Sequence, residues 1–448
     1  MTSPTTLDTY QALDRTLERL FSLDVGRTDL EPTTGDPLEI RTEEWRSRNW
    51  QAHPPEAITN TDAELRNLVA ERIERFPYVE RSFFGALLPA DRDVPENLRF
   101  RYPVFTPKRP GTTEGTANGA ADGAAYGAGS PTAATEQPDR FDRAVILLHG
   151  LNEKSWGKYL PWAYRLAQHT ACPVIMFPIA FHMNRAPAVW SDPRAMSRIS
   201  RERGRRFPAV EATSFVNAAL SHRVHFAPHR FLTSGLQTYY DITDLIRRIR
   251  CGEHPLFAEG ARADIFAYSI GATLAELLLF SDPAGLFASS RGFLFCGGAV
   301  LDRCAPVSKA IIDSEAHRAL RAFFDRLVTG SSRIDPALGA DGLRAWELEI
   351  ARSLLFHDRF RGFREKTARA VGDRITMVAM AGDRVFPPEW LADSWTATDG
   401  SQLFEVERAA PDYDYAHERP FPRGEAARPA AEEFFEEVMS RAARHFTA

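Results

Sequence analysis

Ser269 is the residue of this chain whose surroundings most clearly suggest chemistry. It lies in the stretch AYSIGA at residues 267–272, directly after a short apolar segment and before the helix-forming run TLAELLLF. Small residues, Ala267 and Gly271, stand two positions before and two positions after it. A strand, a tight turn and a helix in this order place a serine hydroxyl at a helix N-terminus, where developing negative charge is favoured. The pattern predicts a nucleophile, and the alternative is a serine that only caps the helix.

Four separate stretches of the chain resemble the α/β-hydrolase family. They are the turn at 267–271, the pair His149-Gly150 after the apolar run AVILL, the segment AGDRVFPP at 381–388, and YAHERPF at 415–421. The turn is a variant of the family's G-x-S-x-G motif with Ala267 in place of the first glycine, and alanine satisfies the need for a small side chain. The resemblance covers residues 99–448 and excludes the N-terminal hundred residues and the long insertions.

The resemblance implies a serine, histidine and aspartate triad. A serine hydroxyl needs a general base, and the base needs an orienting carboxylate. The family's chain order implies Ser269 as nucleophile, Asp383 as acid and His417 as base. Asp302 follows the strand-like FLFCGGAVL and stays open as a second candidate acid, although the GD-x-V-x-P context favours Asp383.

Other polar residues near these motifs have weaker assignments. The family pattern assigns the oxyanion hole to the backbone N–H groups of Ile270 and Leu151, with Asn152 a weaker candidate. Asp412 and Asp414 are interpreted as loop-capping, solvated residues. His182, Asn184 and Trp190 follow a buried strand and are candidates for a pocket wall, with ordinary loop packing the alternative.

The implied activity is hydrolysis of an ester or related acyl bond in a small-molecule substrate, through an acyl-enzyme and without a cofactor. Two alternatives stay open. One is a catalytically inactive hydrolase fold used for binding, which the long insertions and the arginine-rich segment 197–207 suggest. The other is an acyltransferase that uses the same triad. The substrate and its acyl chain length do not follow from the sequence.

The elements that must position these residues alternate between apolar strands and helices. This alternation predicts an α/β fold with a doubly wound, mostly parallel sheet. Residues 1–98 are predicted to form a mainly helical extension, and residues 99–448 the hydrolase domain. Within that domain we predict a flexible loop at 109–140, rich in Gly, Ala and Thr, and helical cap insertions at about 181–236 and 305–372.

Composition excludes several classes of function. The net charge of −5 gives no sign of nucleic-acid binding, and the four cysteines form neither a zinc motif nor a disulfide framework. No secretory signal and no transmembrane segment are recognisable, so a cytoplasmic protein is expected. His222, His225 and His229 have near-helical spacing, but Pro228 interrupts it and no metal site is predicted. The oligomeric state stays open.

Overall fold

An eight-stranded mixed sheet forms the centre of the protein. The structure, a computed structural model, describes residues 9–21, 38–47, 91–108, 140–329 and 345–448. The strands are β1 Leu38–Arg46, β2 Arg99–Pro107, β3 Phe141–Leu148, β4 Val174–Met176, β5 Phe257–Tyr268, β6 Gly292–Phe295, β7 Ile375–Met380 and β8 Glu405–Ala409. Their spatial order is β1-β2-β4-β3-β5-β6-β7-β8.

Strand β2 runs against its neighbours β1 and β4, and all the other neighbouring strands are parallel. In the centre of the sheet, Ile146 of β3 is aligned with Ile175 of β4 on one side and Ile265 of β5 on the other. The carboxyl ends of β3, β5, β7 and β8 therefore lie along one edge, where a parallel sheet collects its functional residues.

The central strands are apolar because both of their faces are covered. Along β3, Ala144, Ile146 and Leu148 pack into one core cluster, whereas Val145 and Leu147 pack into a second cluster on the opposite face. Successive side chains of a strand point to opposite faces, so a strand between two helical layers needs apolar residues at every position.

Helices cover both faces of the sheet. The layer on one face consists of the helices at 10–20, 160–170 and 428–447, which pack with one another. The layer on the other face consists of the helices at 229–250, 270–281, 345–353 and 361–371. The bounds are α1 Tyr10–Leu20, α2 Pro95–Leu98, α3 Leu160–Thr170, α4 Pro193–Arg206, α5 Ala218–Phe226, α6 His229–Arg250, α7 Ile270–Ser281, α8 Ser314–Thr329, α9 Ala345–Ser353, α10 Arg361–Val371, α11 Pro388–Ser394 and α12 Arg428–Thr447. The predicted doubly wound, mostly parallel α/β sheet is confirmed.

Within the described part of residues 1–98, the structure contains a strand that the prediction of a mainly helical extension did not include. Alongside the expected helix α1, Leu38–Arg46 forms strand β1 at the edge of the main sheet. Its charged residues obscured the strand pattern, and such residues are characteristic of edge strands. Most of the predicted helical extension, including residues 48–90, and almost all of the loop predicted at 109–140 lie outside the described residues.

The two predicted insertions are helical where they are described. The first contains α4, α5 and the start of α6, and the second contains α8, α9 and α10. A buried ion pair joins them, because the Arg203 guanidinium donates to both Asp313 carboxylate oxygens at 2.6 and 2.7 Å. Among the helices within the described ranges, none combines the length and the apolar character needed to cross a lipid bilayer.

Candidate active site

Ser269 lies in the sharp turn between β5 and α7. Its backbone has φ 57° and ψ −125°, a conformation that is strained for a residue with a Cβ atom. The strain is held in place by the buried strand before it and the buried helix after it. Its side chain is almost completely buried. This is the strained strand-to-helix turn that presents a serine above the sheet edge in α/β hydrolases.

Two glycines allow the backbone to pack tightly around this turn. A Cβ atom on Gly271 would lie 2.8 Å from the carbonyl oxygen of His149. A Cβ atom on Gly297 would lie only 2.3 Å from the carbonyl oxygen of Ser269 itself. The sequence motif includes Gly271 but not Gly297. Gly297 lies two residues beyond the end of the neighbouring strand β6, and a glycine can mark a place where another backbone approaches closely.

Ser269, His417 and Asp383 form a continuous hydrogen-bonded chain. The Ser269 Oγ to His417 Nε2 distance is 2.8 Å, and the His417 Nδ1 to Asp383 Oδ2 distance is also 2.8 Å. An ionised carboxylate only accepts, so Nδ1–H donates to Asp383, and Nε2 is left to accept from the serine hydroxyl. All three side chains are buried. The structure thus brings together the three residues that the family pattern selected.

Asp383 is held by three further donors. The backbone N–H groups of Val385 and Phe386 donate to its Oδ1 at 2.8 and 2.9 Å. The Tyr415 hydroxyl donates to its Oδ2 at 2.8 Å, the same oxygen that accepts from His417. Burial, reinforced by nearby Cys296 and Asp383, raises the pKa of Tyr415 well above its usual value. Tyr415 therefore stays a neutral donor, and the sequence analysis did not identify this role.

His417 is positioned by aromatic residues on two sides. The Tyr268 hydroxyl donates to the His417 backbone carbonyl, and the two rings stack with centroids 5.5 Å apart and planes at 20°. The Phe386 ring lies 5.8 Å from the imidazole. Tyr268 directly precedes Ser269, so one side chain couples the position of the serine turn to that of the histidine loop.

The other acidic candidates do not face His417. Asp302 lies in the turn Leu301–Arg303, and its Oδ1 accepts from the backbone N–H of His357 at 3.0 Å. Asp412 and Asp414 are exposed, although they precede the histidine by only a few residues. Of the four carboxylates considered, Asp383 is the one hydrogen-bonded to the imidazole.

The loop after β3 is fixed by a buried, neutral histidine. Nε2 of His149 accepts from the backbone N–H of Ile179 at 2.9 Å, so the proton resides on Nδ1, which donates to the Gly150 carbonyl at 2.8 Å. Burial lowers the pKa of His149 well below its usual value, so the ring stays neutral. The Gly150 N–H donates to the Tyr159 hydroxyl at 3.0 Å.

Leu151 and Ile270, the predicted oxyanion donors, both line the cavities beside Ser269. Within the described part of the chain, neither of their backbone N–H groups donates to a protein acceptor. The Asn152 side chain is engaged elsewhere, since its amide donates to the carbonyls of Val216 and Ala310 at 3.1 and 2.6 Å. That arrangement links Asn152 to both insertions and removes its side-chain amide as a donor to a ligand.

Two adjoining apolar cavities lie beside the serine. The smaller, of about 40 Å³, is lined by Ser269 itself, and the larger has a volume of about 110 Å³. Leu151, Phe231, Ile270 and Leu301 line both. Most of the remaining walls are apolar side chains of the core and of both insertions, such as Leu220, Leu232, Leu274, Ile312, Phe324 and Leu354. Polar and charged residues complete the lining: His182, Arg223, Arg230, Ser234, Thr273, His317 and Arg321.

The three residues after β4 have different environments. His182 lines the larger cavity. Asn184 instead donates to the Arg101 carbonyl at 2.8 Å, and Trp190 packs 6.3 Å from the Phe181 ring. Ordinary loop packing therefore describes Asn184 and Trp190.

No metal-binding group is formed by the histidines of α5 and α6. Across the ranges for which side chains are described, no cluster of three or more His, Cys, Asp or Glu residues could hold a metal ion. His222 and His225 are buried in α5, and His229 begins α6.

Comparison with known proteins identifies a family without an assigned function. The chain belongs to the family of unknown function DUF6051, whose model matches residues 132–447. No curated protein matches. Among solved structures, carboxyl esterase 2 from Tuber melanosporum is similar, with 9% identity, full coverage of both chains and a TM-score of 0.41.

Two further solved structures are similar at a comparable level. A thermostable esterase from Pseudomonas putida has 10% identity, covering 100% of this chain and 99% of its own, with a TM-score of 0.39. A peroxisomal α/β hydrolase from Saccharomyces cerevisiae has 12% identity, covering 92% of this chain and 90% of its own, with a TM-score of 0.38.

Proposed function

We propose that this member of the DUF6051 family is a serine hydrolase that cleaves an ester or related acyl bond through an acyl-enzyme. The observation that carries the proposal is the chain of two 2.8 Å contacts from Ser269 through His417 to Asp383. The strained backbone of Ser269 supports it, because such strain persists where the surrounding structure maintains it, and it clusters at active sites.

In the proposed reaction, Ser269 Oγ attacks the substrate carbonyl carbon while its proton passes to Nε2 of His417. Asp383 holds the imidazole in the required tautomer and stabilises the imidazolium. The backbone N–H groups of Leu151 and Ile270 receive the oxyanion. The tetrahedral intermediate then collapses: the bond between the acyl carbon and the alkoxide oxygen breaks, the imidazolium donates its proton to that oxygen, and the alcohol departs, leaving an acyl-serine. Water then attacks the acyl carbon while one of its protons passes to His417. The bond between the acyl carbon and Ser269 Oγ breaks, the imidazolium returns the proton to Oγ, and the carboxylic acid is released.

The surroundings of the triad suggest where each half of the substrate lies. His417 lines an open cleft of about 890 Å³, formed with the segments 305–308, 380–385 and 409–418. Val385 lines both this cleft and the cavity beside Ser269. Because His417 must protonate the leaving group, we assign the alcohol to the open cleft. The acyl group then occupies the apolar cavities bordered by Leu151 and Ile270.

Labelling with a fluorophosphonate probe tests this function without knowledge of the natural substrate. The wild type is expected to be labelled at Ser269, and Ser269→Ala is expected not to react. Ser281→Ala is the matched control, because Ser281 is a buried serine at the far end of the same helix and hydrogen-bonds to Tyr239. Equal labelling of the wild type and Ser269→Ala would remove Ser269 from the proposed role.

A further inference from the structure

His182 lines the larger cavity, and its ring carries a buried hydrogen-bond acceptor without a partner among the described residues. Its Nδ1 lies 3.0 Å from the Ala180 carbonyl oxygen, which can only accept, so the ring proton is on Nδ1. Nε2 is then a lone-pair acceptor, and within the described residues it has no hydrogen-bond partner. The side chain is only 6% exposed. The contact with Ala180 fixes the ring, so Nε2 cannot turn away to find another donor.

An unpaired acceptor in this environment is costly. Leaving a buried polar atom unsatisfied costs about 1–3 kcal/mol unless a water or a ligand supplies the partner. The cavity that His182 lines is otherwise mostly apolar, and it adjoins the cavity at Ser269 through Leu151 and Ile270. A ligand that fills this space and carries a donor would satisfy Nε2.

The other polar residues that line this cavity are Arg223, Arg230, Ser234 and Thr273. The two arginines pair with Asp91, and Thr273 is the uncharged group that competes with His182 for a ligand. Its Oγ1 is also buried without a partner in the described part of the chain, and it lines the same cavity. A threonine hydroxyl within a helix can rotate to donate to the carbonyl four residues earlier, which here belongs to Ser269. Nε2 of His182 has no such local alternative, so His182 is the better determinant of ligand chemistry.

We propose that the acyl group of the substrate is a short apolar chain bearing a hydroxyl group, and that this hydroxyl donates a hydrogen bond to Nε2 of His182. The inference rests on the proposed hydrolase function, and it names the class of acyl group that the site takes. A cavity on the order of 150 Å³ accepts benzene in another protein. The two adjoining cavities here, of about 110 and 40 Å³, together offer a comparable volume, which suits an acyl group of about six carbons, such as hydroxyhexanoyl.

The protonation state of His182 agrees with an acceptor role. Burial, reinforced by the nearby cations of Lys154, Arg223 and Arg185, lowers the pKa of His182 to about 4, although the contact with Ala180 opposes the shift. The ring is therefore neutral near pH 7. Arg223 does not compete for Nε2 as a free donor, because it forms two hydrogen bonds with the Asp91 carboxylate at 2.6 and 2.8 Å.

The test compares methyl hexanoate with methyl hydroxyhexanoates that carry the hydroxyl on different carbons of the chain. The wild type is expected to hydrolyse at least one hydroxy isomer with a kcat/KM about fivefold to tenfold above that of the plain ester, the effect of one hydrogen bond. In His182→Phe, which keeps a ring but has no acceptor, the ratio is expected to fall to about one. Thr273→Val is expected to keep the wild-type ratio.

Three results would overturn the inference: a wild type with no preference for any hydroxy isomer, a preference that survives in His182→Phe, or a preference lost in Thr273→Val alone. If His182→Phe does not fold, a wild type without any preference still overturns the inference. Calorimetric binding of the same esters to Ser269→Ala provides a second readout that needs no catalysis, and equal or undetectable binding of all isomers would also overturn it. Failure of the hydrolase proposal would show separately, as an absence of fluorophosphonate labelling at Ser269.

Discussion

Replacing Gly297 by alanine should disable the site without touching any of the three triad side chains. The added Cβ atom would lie 2.3 Å from the Ser269 carbonyl oxygen and 2.8 Å from both the carbonyl carbon and Cα of Ser269. All three are backbone atoms of the strained turn. They cannot swing aside as the end of a flexible side chain can, so the turn itself must move.

The size of the effect follows from these distances. Real Cβ atoms essentially never approach another atom within 3.0 Å, so the gap of 2.3 Å must open by about 0.7 Å. A displacement on the order of 1 Å at a reacting group can cost about 10²-fold in rate. Overpacking of a buried site also lowers the free energy of unfolding, typically by about 1–3 kcal/mol. We therefore expect a folded but less stable protein that reacts about 10²-fold more slowly.

The rate of fluorophosphonate labelling is the assay, with circular dichroism to establish that the variant is folded. Gly382→Ala is the matched control, because it adds the same methyl group beside Asp383 but meets only Tyr415 atoms at 3.7 and 3.8 Å. The control should label at close to the wild-type rate. A folded Gly297→Ala protein that labels as fast as the wild type would refute the role assigned to this close backbone contact.

Three further predictions concern the groups around the site. Tyr415→Phe removes one donor to Asp383 and should slow labelling about fivefold, whereas an unchanged rate would contradict the supporting role. Asp313→Ala leaves Arg203 buried and unpaired, so the free energy of unfolding measured with urea should fall by about 3–5 kcal/mol. A decrease of less than about 1 kcal/mol would contradict this prediction. Burial keeps His182 neutral in the folded protein down to a pKa of about 4, whereas in the unfolded chain it takes up a proton near pH 6.5. The free energy of unfolding should therefore fall by up to about 3 kcal/mol as the pH is lowered from 6.5 to about 4. His182→Phe should lack this part of the decrease, as measured by urea unfolding at each pH.

The fold could be predicted from the sequence because its central strands carry a strong local signal. Runs such as AVILL in β3 are apolar at every position, and only a strand covered on both faces requires this. Strand β1, LEIRTEEWR, mixes charged and apolar residues because it lies at the sheet edge. Its assignment depends on pairing with β2, a long-range contact that the local pattern does not encode.

The candidate site was predictable only where a short motif marks it. Ser269 with Gly271, and Asp383 with its Val and Pro neighbours, occur in recognisable stretches. Gly297 and Tyr415 act through contacts with residues that are distant in sequence, Ser269 and Asp383. The sequence does not predict that Nε2 of His182 is an unpaired acceptor. That property depends on the contact of Nδ1 with the Ala180 carbonyl and on the cavity that the ring lines, and both exist only in the folded protein.

The interdependence of Ser269 and His417 tests the central claim most directly. Residues that act as one catalytic unit are non-additive, so removing either should cost nearly as much as removing both. The measurement is kcat/KM for a reactive ester in Ser269→Ala, His417→Ala and the double variant. We expect each single variant to lose on the order of 10³-fold or more, and the double variant to be no slower than the worse single variant. Losses that multiply in the double variant, or a His417→Ala protein with wild-type activity, would contradict the account.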